Sequence, residues 1–271
     1  MKYAFISGAS SGLAKAAIQK LTENNYIVFC ADIVYNENKV ENNIHYIKMD
    51  ITKNEDIDSA YDYVKSITDK VDIISNFAGI VTLGSLVELP ENSLDKIINI
   101  NLIGTYKINN KFFPLVKNAK GRIINISSEY GKICGIPFHG YYGISKHAIE
   151  VYNDSLRREL LSSGVKVICI RPGAFKTKMQ AGITKQFDEM VNDTKMYKEP
   201  LLKMQKIMTI ELNKAKSTEI FASKYIKIVL SKRPKKYYNV CNSIKMKMLS
   251  ALPSGMQDWI FYKFLKTKNK N

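Results

Sequence analysis

The segment YAFISGASSG, residues 3–12, decides the fold. Residues 3–7 form an apolar run with the length of a short buried strand, and residues 8–12 form a tight turn. Apolar side chains recur at helical spacing through residues 13–24, and a second apolar strand begins at Tyr26 and ends at Asp32. Strand, glycine turn, helix, strand and acid is the order of a nucleotide-binding βαβ unit, whose turn and helix N-terminus attract a pyrophosphate.

The alternation of strands and helices continues as far as Leu230. Further strands are predicted at 45–49, 71–76, 121–126, 165–170 and 237–240, and helices at 57–67, 93–113, 142–162 and 217–230. This regularity predicts an α/β fold: a doubly wound, Rossmann-like parallel sheet with helices on both faces. No repeat or boundary divides the chain, so residues 1–271 are interpreted as a single domain with a core at about 2–230.

Two segments depart from the alternation. Residues 174–202 are rich in methionine and show no clear period, which predicts an irregular substrate loop that lines an adaptable apolar pocket. Residues 231–271 form a basic, amphipathic C-terminal extension with lysines as far as Lys268 and Lys270. This extension suits peripheral contact with an anionic membrane, and it equally suits a helix that closes over the pocket or a subunit contact.

Composition bounds the possible partners. The formal net charge is +16, with 45% hydrophobic and 24% charged residues. The lysines are scattered and no nucleic-acid reading element is recognisable, so no nucleic-acid partner is expected. The four cysteines show no paired spacing, which argues against disulfides and a metal site. Neither a signal peptide nor an apolar run of about 20 residues is found, so a cytoplasmic location is expected.

One pair of residues has the spacing of a proton-transfer site. Tyr142 and Lys146 are four residues apart, on one face of a predicted helix. There the ammonium group is expected to lie beneath the phenol and lower its pKa from about 10. A hydroxyl from the preceding strand end, at 127–128, could hold a substrate oxygen against the phenol. The arrangement suits moving a proton on and off a carbonyl or alcohol oxygen.

Asp32 indicates the type of dinucleotide. A carboxylate at the end of the second strand accepts hydrogen bonds from the ribose hydroxyls and repels a 2′-phosphate. No Arg or Lys lies in the glycine turn or directly after Asp32. The sequence therefore favours NAD over NADP.

Taken together, these motifs resemble those of the short-chain dehydrogenases/reductases, in their single-domain branch, over about residues 2–230. The resemblance rests on the order and spacing of the whole set of motifs, because no single motif would be specific enough. The motifs are Ser7-Gly8-Ala9-Ser10-Ser11-Gly12, Asp50, Asn76-Phe77-Ala78-Gly79, Asn101-Leu102-Ile103-Gly104, Ser127-Ser128, Tyr142-x-x-x-Lys146 and Pro172-Gly173-x-x-x-Thr177.

The resemblance implies roles for individual residues. Tyr142 would be the general acid/base, with Lys146 as its pKa-lowering neighbour and a ribose ligand. Ser128 would steady the substrate oxygen, and the backbone of Asn101 would hold a water that relays protons. Cofactor contacts are implied for Gly8, Ser10, Ser11, Gly12, Leu13, Asp32, Asp50, Ile51, Asn76, Ala78, Gly79, Tyr142, Lys146, Pro172, Gly173 and Thr177. The implied reaction is hydride transfer between NAD(H) and a secondary alcohol or ketone, in a lipophilic (steroid-, retinoid- or lipid-like) substrate.

Some features leave alternatives open. Ala14 stands where the family has a third glycine, which predicts a shifted turn or reduced cofactor affinity. The interval from Ser128 to Tyr142 is one residue longer than usual, so Ser127 is an alternative to Ser128. A non-catalytic NAD(H)-binding sensor or scaffold protein is the rival function. Family members often associate through their two long middle helices, which implies a homodimer or homotetramer.

Overall fold

The computed structural model describes residues 1–266, and within them eight strands form one sheet in the order β3-β4-β2-β1-β5-β6-β7-β8. The strands are β1 Lys2–Ser7, β2 Tyr26–Asp32, β3 Lys39–Glu41, β4 Ile44–Lys48, β5 Ile73–Asn76, β6 Arg122–Ile126, β7 Lys166–Pro172 and β8 Tyr237–Val240. All neighbours pair in parallel except β3 and β4. The predicted doubly wound parallel sheet is confirmed. The antiparallel strand β3 was not predicted, because its residues are all exposed and give no apolar pattern.

Helices cover both faces of this sheet. They are α1 Gly12–Glu23, α2 Asn54–Ile67, α3 Asn92–Ile98, α4 Thr105–Asn118, α5 Gly140–Glu159, α6 Lys178–Asp193, α7 Lys198–Asn213, α8 Thr218–Leu230, α9 Ile244–Ala251 and α10 Ser254–Leu265. A π-helical turn, Asn99–Gly104, joins α3 to α4. The predicted helix over 93–113 is therefore three consecutive elements.

The central strands are apolar because both of their faces are covered. Four consecutive residues of β1, Ala4–Ser7, are wholly buried, which is typical of a strand between two layers of helices. One core cluster joins the sheet to α1 and α8, with Leu21 and Tyr225 among its members. The other joins it to α2 and α4, with Val64 and Phe112.

The prediction of an irregular loop at 174–202 is wrong for most of that segment. Residues 178–193 form α6, and α7 begins at Lys198. Phe187 and Leu201 are only 1% exposed, in a third apolar cluster with Leu83 and Phe138. Ile183, Phe187 and Met190 do have helical spacing. Their partners lie far away in sequence, so tertiary packing stabilises helices that the local pattern did not reveal.

The C-terminal extension folds back over the third cluster. Met246 and Leu249 of α9 and Phe261 and Phe264 of α10 pack against it. Other apolar side chains of the extension are exposed, namely Ile244, Met248, Met256, Trp259 and Tyr262. Residues 267–271, which include Lys268 and Lys270, lie outside the described part of the chain. Within residues 1–266, no helix has both the length and the hydropathy needed to cross a membrane.

Candidate active site

A cavity of about 780 Å³ opens at the carboxyl ends of the central strands. The order of the sheet reverses between β1 and β5, and a ligand of a doubly wound fold binds outside the strand ends at this switch point. Both the glycine turn and the predicted proton-transfer residues line this one cavity. The fold therefore brings together groups that are as far apart in sequence as Gly8 and Lys146.

The glycine turn lies against the strand end at 77–79. Gly8 has a φ of 68°, and a Cβ atom there would lie 2.5 Å from the backbone N of Ala78. Gly12 has a φ of 59°, and α1 begins at that residue. Ser11 is the N-cap, but its side chain makes no capping hydrogen bond with any described residue. The first N–H groups of α1 are thus available to an anionic group, and a dinucleotide pyrophosphate fits this cradle.

Ala14 is packed into the core. It is 2% exposed and belongs to the core cluster beneath α1. The predicted shift of the turn and the predicted reduction in cofactor affinity both stay predictions.

Asp32 lies at the end of β2 and helps to shape the cavity. Its Oδ2 atom accepts the Ser10 N–H at 3.0 Å, and its Oδ1 atom accepts the Val34 N–H at 3.1 Å. These bonds tie the glycine turn to the end of β2 and hold the carboxylate in position. No Lys or Arg side chain from residues 33–34 stands beside it.

Most of the other predicted cofactor contacts also line the cavity. They are Ser10, Ser11, Leu13, Asp50, Ile51, Ala78, Gly79, Pro172, Gly173 and Thr177. Asn76 does not line it. The Asn76 side chain donates hydrogen bonds to Asn109 at 2.7 Å and Asn125 at 3.0 Å. It therefore belongs to a buried asparagine network beneath the cavity, which also includes Asn153 through a 3.1 Å bond from Asn125.

Asn101 also lies beneath the cavity wall. It is 1% exposed and lies in the π-helical turn, a feature that often marks functional sites. Its side-chain amide pairs with both backbone groups of Ile80, at 2.8 and 3.0 Å, and donates to Ser145 Oγ at 3.0 Å. Its carbonyl accepts the Thr105 hydroxyl at 3.0 Å. The geometry shows Asn101 bracing the strand end next to Gly79, and its role in a water relay stays a prediction.

Tyr142 and Lys146 lie in the first two turns of α5. The Lys146 ammonium lies 5.8 Å from the centre of the Tyr142 ring and donates to the Ile126 carbonyl at 3.0 Å. Burial lowers the pKa of Lys146 to about 8. Burial also raises the pKa of Tyr142, the Ser128 hydroxyl lowers it, and the Glu129 carboxylate raises it further. The net direction is upward, so the prediction of a lowered Tyr142 pKa is wrong for this structure. Burial is the largest cause of this rise, and the Lys146 ammonium is not among its causes.

The two serines at the end of β6 point in different directions. Ser127 Oγ donates to the Lys146 carbonyl at 3.4 Å and lies against Gly131, where an added Cβ would collide with it. Ser128 caps the short helical turn that follows, accepting the Tyr130 N–H at 3.2 Å, and it is the serine whose hydroxyl affects the Tyr142 phenol. The geometry favours Ser128 over Ser127 as the partner of Tyr142.

The cavity residues that the sequence did not identify include three polar or aromatic residues at 129–139. Glu129 and Tyr130 follow Ser128, and His139 lies just before α5. Tyr130 stacks on His139 with ring centres 5.1 Å apart and meets Tyr142 edge-on at 5.7 Å. Burial lowers the pKa of His139 to about 4, so its ring is neutral at pH 7. The added residue between Ser128 and Tyr142 was the available signal, because it indicated that this loop is built differently.

The far end of the cavity is apolar. It is lined by methionine, leucine, isoleucine and phenylalanine side chains from α7, α9 and α10, namely Met204, Met208, Met246, Leu249, Ile260, Phe261 and Phe264. Unbranched methionine side chains adapt to irregular ligand shapes. The C-terminal extension thus closes over the pocket, which was one of the arrangements predicted for it.

Comparison with known proteins shows the family. Residues 2–188 match the family model described as short chain dehydrogenase. The chain belongs to the short-chain dehydrogenases/reductases, and the resemblance inferred from its motifs is confirmed.

Similar individual proteins include two bacterial reductases. The 3-amino-tetrahydro-pyrrolizinone reductase of Xenorhabdus hominickii is 32% identical over 90% of this chain and 88% of its own length. The NADPH-dependent 3-dehydrocapnine reductase of Ornithobacterium rhinotracheale is 32% identical over 98% of each chain. A short chain dehydrogenase family protein of Francisella tularensis has a solved structure with a TM-score of 0.74, covering 89% of this chain and 97% of its own at 23% identity. The last likeness supports the fold, and the two reductases agree with an oxidoreductase.

Proposed function

We propose that the chain is an NAD(H)-dependent oxidoreductase that transfers a hydride between the cofactor and a secondary alcohol or ketone in a lipophilic molecule. The observation that supports this proposal is the shared cavity. Tyr142, Lys146 and Ser128 lie in the same cavity as the glycine turn and Asp32. The apolar wall beyond them supports a lipophilic substrate.

The proposed roles follow from the geometry. Ser128 would hold the carbonyl oxygen of a ketone by a hydrogen bond, and Tyr142 would donate its phenolic proton to that oxygen. Lys146 would stabilise the phenolate that remains. The nicotinamide ring supplies the hydride when it is bound. Since the pKa of Tyr142 is raised, the phenol is protonated at pH 7 and can act as the acid in ketone reduction.

The proposed role of Tyr142 is tested by removing its phenolic hydroxyl group. The Tyr142→Phe protein should lose at least about 100-fold in kcat for reduction of long-chain ketones with NADH, because acid–base catalysis contributes about 10²–10⁴-fold. The matched control is Tyr141→Phe at the adjacent position. NADH consumption is followed by absorbance. Unchanged kcat in Tyr142→Phe would refute the role, and NADH binding without turnover in the wild type would support the sensor or scaffold rival.

The proposed preference for NAD rests on Asp32. Its carboxylate is held by two backbone N–H groups at the cavity wall, and a 2′-phosphate there would meet a negative charge, with no Lys or Arg at residues 33–34 to offset it. The NADPH dependence of the Ornithobacterium relative makes this a necessary test. Titration with NADH and NADPH separately, followed by cofactor fluorescence, should give at least about tenfold tighter binding of NADH. Tighter binding of NADPH would refute the argument from Asp32.

A further inference from the structure

Glu129 is an acid that lines the largely apolar cavity. It directly follows Ser128 in the short helical turn Glu129–Gly131, and it lines the cavity together with Tyr142. Its Oε2 atom accepts the Ser243 N–H at 2.7 Å, from the residue before α9. This bond ties the carboxylate to the start of α9, whose Met246 and Leu249 belong to the apolar wall.

The Glu129 carboxylate has no cation of its own in the described chain. It takes part in none of the ion pairs found among residues 1–266. Burial raises its pKa, the Ser243 N–H lowers it, and Glu211 raises it further, with no cation among the causes. Glu211, the other acid at this end of the cavity, lies 3.6 Å from the Lys214 ammonium and 3.8 Å from that of Lys245. Glu129 therefore differs from Glu211 in lacking a positive partner.

An uncompensated carboxylate at this position is unfavourable in two ways. Removing its charge from water without a cationic partner costs free energy. Its charge also opposes formation of the Tyr142 phenolate, because it raises the pKa of that phenol. A bound cation next to Glu129 would relieve both effects at once. The described residues do not provide that cation, whereas a substrate can.

We propose that Glu129 binds a protonated amine of the substrate, carried close to the reacting carbon, so that the substrate class is a lipophilic amino ketone or amino alcohol. The proximity is supported by the site itself, since Glu129, Ser128 and Tyr142 line one cavity and the Glu129 carboxylate raises the pKa of the Tyr142 phenol. The remainder of the substrate would extend along the apolar wall formed by α7, α9 and α10. This inference rests on the proposed function and specifies its substrate.

A purely structural role predicts a different result. If Glu129 served only to anchor Ser243, a glutamine would accept the same N–H and nothing else would change. The charge itself is therefore what the experiment must remove. Glu129→Gln removes the charge at nearly constant side-chain shape. Glu211→Gln is the matched control, because it removes a carboxylate that lines the same cavity and already has lysine partners.

The experiment has a turnover arm and a binding arm. In the turnover arm, NADH consumption is measured with 1-aminododecan-2-one and with dodecan-2-one. The wild type should prefer the amino ketone in kcat/KM by about tenfold or more, as a charge-assisted hydrogen bond allows, and Glu129→Gln should lose that preference while Glu211→Gln keeps it. In the binding arm, decylamine should raise the thermal midpoint of the wild type at pH 7 more than decanol does, and Glu129→Gln should abolish the difference.

The two arms distinguish a failure of this inference from a failure of the proposed function. Turnover of both ketones without an amine preference, or a preference unchanged in Glu129→Gln, overturns the inference and leaves the proposed function intact. Turnover of neither ketone counts against the proposed function, and the binding arm then decides the inference. Equal midpoints with decylamine and decanol in the wild type overturn it, and this comparison holds even where Glu129→Gln does not fold.

Discussion

Replacing Gly8 with alanine should destabilise the protein more than any other single added methyl in the glycine turn. Gly8 has a φ of 68°, and an alanine held in this left-handed region costs about 1–2 kcal/mol. The new Cβ would also lie 2.5 Å from Ala78 N, 2.6 Å from Ala78 Cα and 2.9 Å from the Phe77 carbonyl carbon. These are backbone atoms that cannot rotate away, so overpacking adds about 1–3 kcal/mol. The expected loss in free energy of unfolding is about 2–5 kcal/mol.

Urea unfolding at pH 7 measures this loss against two matched variants. Gly12→Ala also has a positive φ, of 59°, but its Cβ meets only the Thr177 side chain at 3.3 Å, so its loss should be smaller. Gly135→Ala meets nothing within 4 Å and should change the free energy of unfolding by less than about 0.5 kcal/mol. NADH binding should weaken in the same order, because Gly8 allows the close approach of the turn to a pyrophosphate.

One result would refute the reasoning on Gly8. If Gly8→Ala unfolded within about 0.5 kcal/mol of the wild type, the contact between the turn and residues 77–78 could not be as close as described. If it were destabilised but bound NADH normally, the turn would matter for folding alone and would not be the pyrophosphate cradle.

Three further predictions concern other parts of the molecule. Because the pKa of His139 is about 4 in the folded chain against 6.5 unfolded, stability should fall by up to about 3 kcal/mol as the pH drops from 6.5 to 4. His139→Gln should flatten this decline in urea unfolding, and an unchanged decline would contradict the assignment. Glu150→Gln breaks the buried 2.6 Å ion pair with Arg171 and should lower the free energy of unfolding, measured by thermal unfolding, by about 3–5 kcal/mol. The double variant that also carries Arg171→Met should recover part of this loss. A loss below about 1 kcal/mol would count against the pair. We also propose that the exposed apolar side chains of α10 contact anionic membranes. The protein should co-sediment with phosphatidylglycerol vesicles, and Trp259→Ser should weaken this binding. Equal sedimentation with phosphatidylcholine vesicles would refute the role of charge.

The parts of the fold that were predictable have local signals. The unit at residues 3–32 combines apolar runs with two glycines whose backbone conformations other residues rarely adopt, and the pattern repeats along the chain. Helices α6 and α7 have only a weak local signal, the spacing of a few apolar residues of α6, and Phe187 and Leu201 acquire their partners only when distant segments meet. Local spacing of apolar residues therefore predicted the strands of the sheet, and it did not predict helices α6 and α7 beside the cavity.

The candidate site shows the same division. The four-residue spacing placed Tyr142 and Lys146 on one helix face, as the structure has them. It could not give the direction of the Tyr142 pKa, which depends on burial beneath several elements and on the charge of Glu129. Asn76 and Asn101 were predicted by resemblance at the site, and the structure gives their side chains bracing roles below it. Their assigned cofactor and relay roles stay predictions.

The asparagine network beneath the cavity has a consequence for the measurement of pH dependence. Asn76, Asn109, Asn125 and Asn153 are joined by amide hydrogen bonds, and amides neither gain nor lose protons between acidic and alkaline solution. The asparagine network itself thus carries no charge at any working pH. It consequently adds no ionisation of its own to a pH–rate profile of this protein.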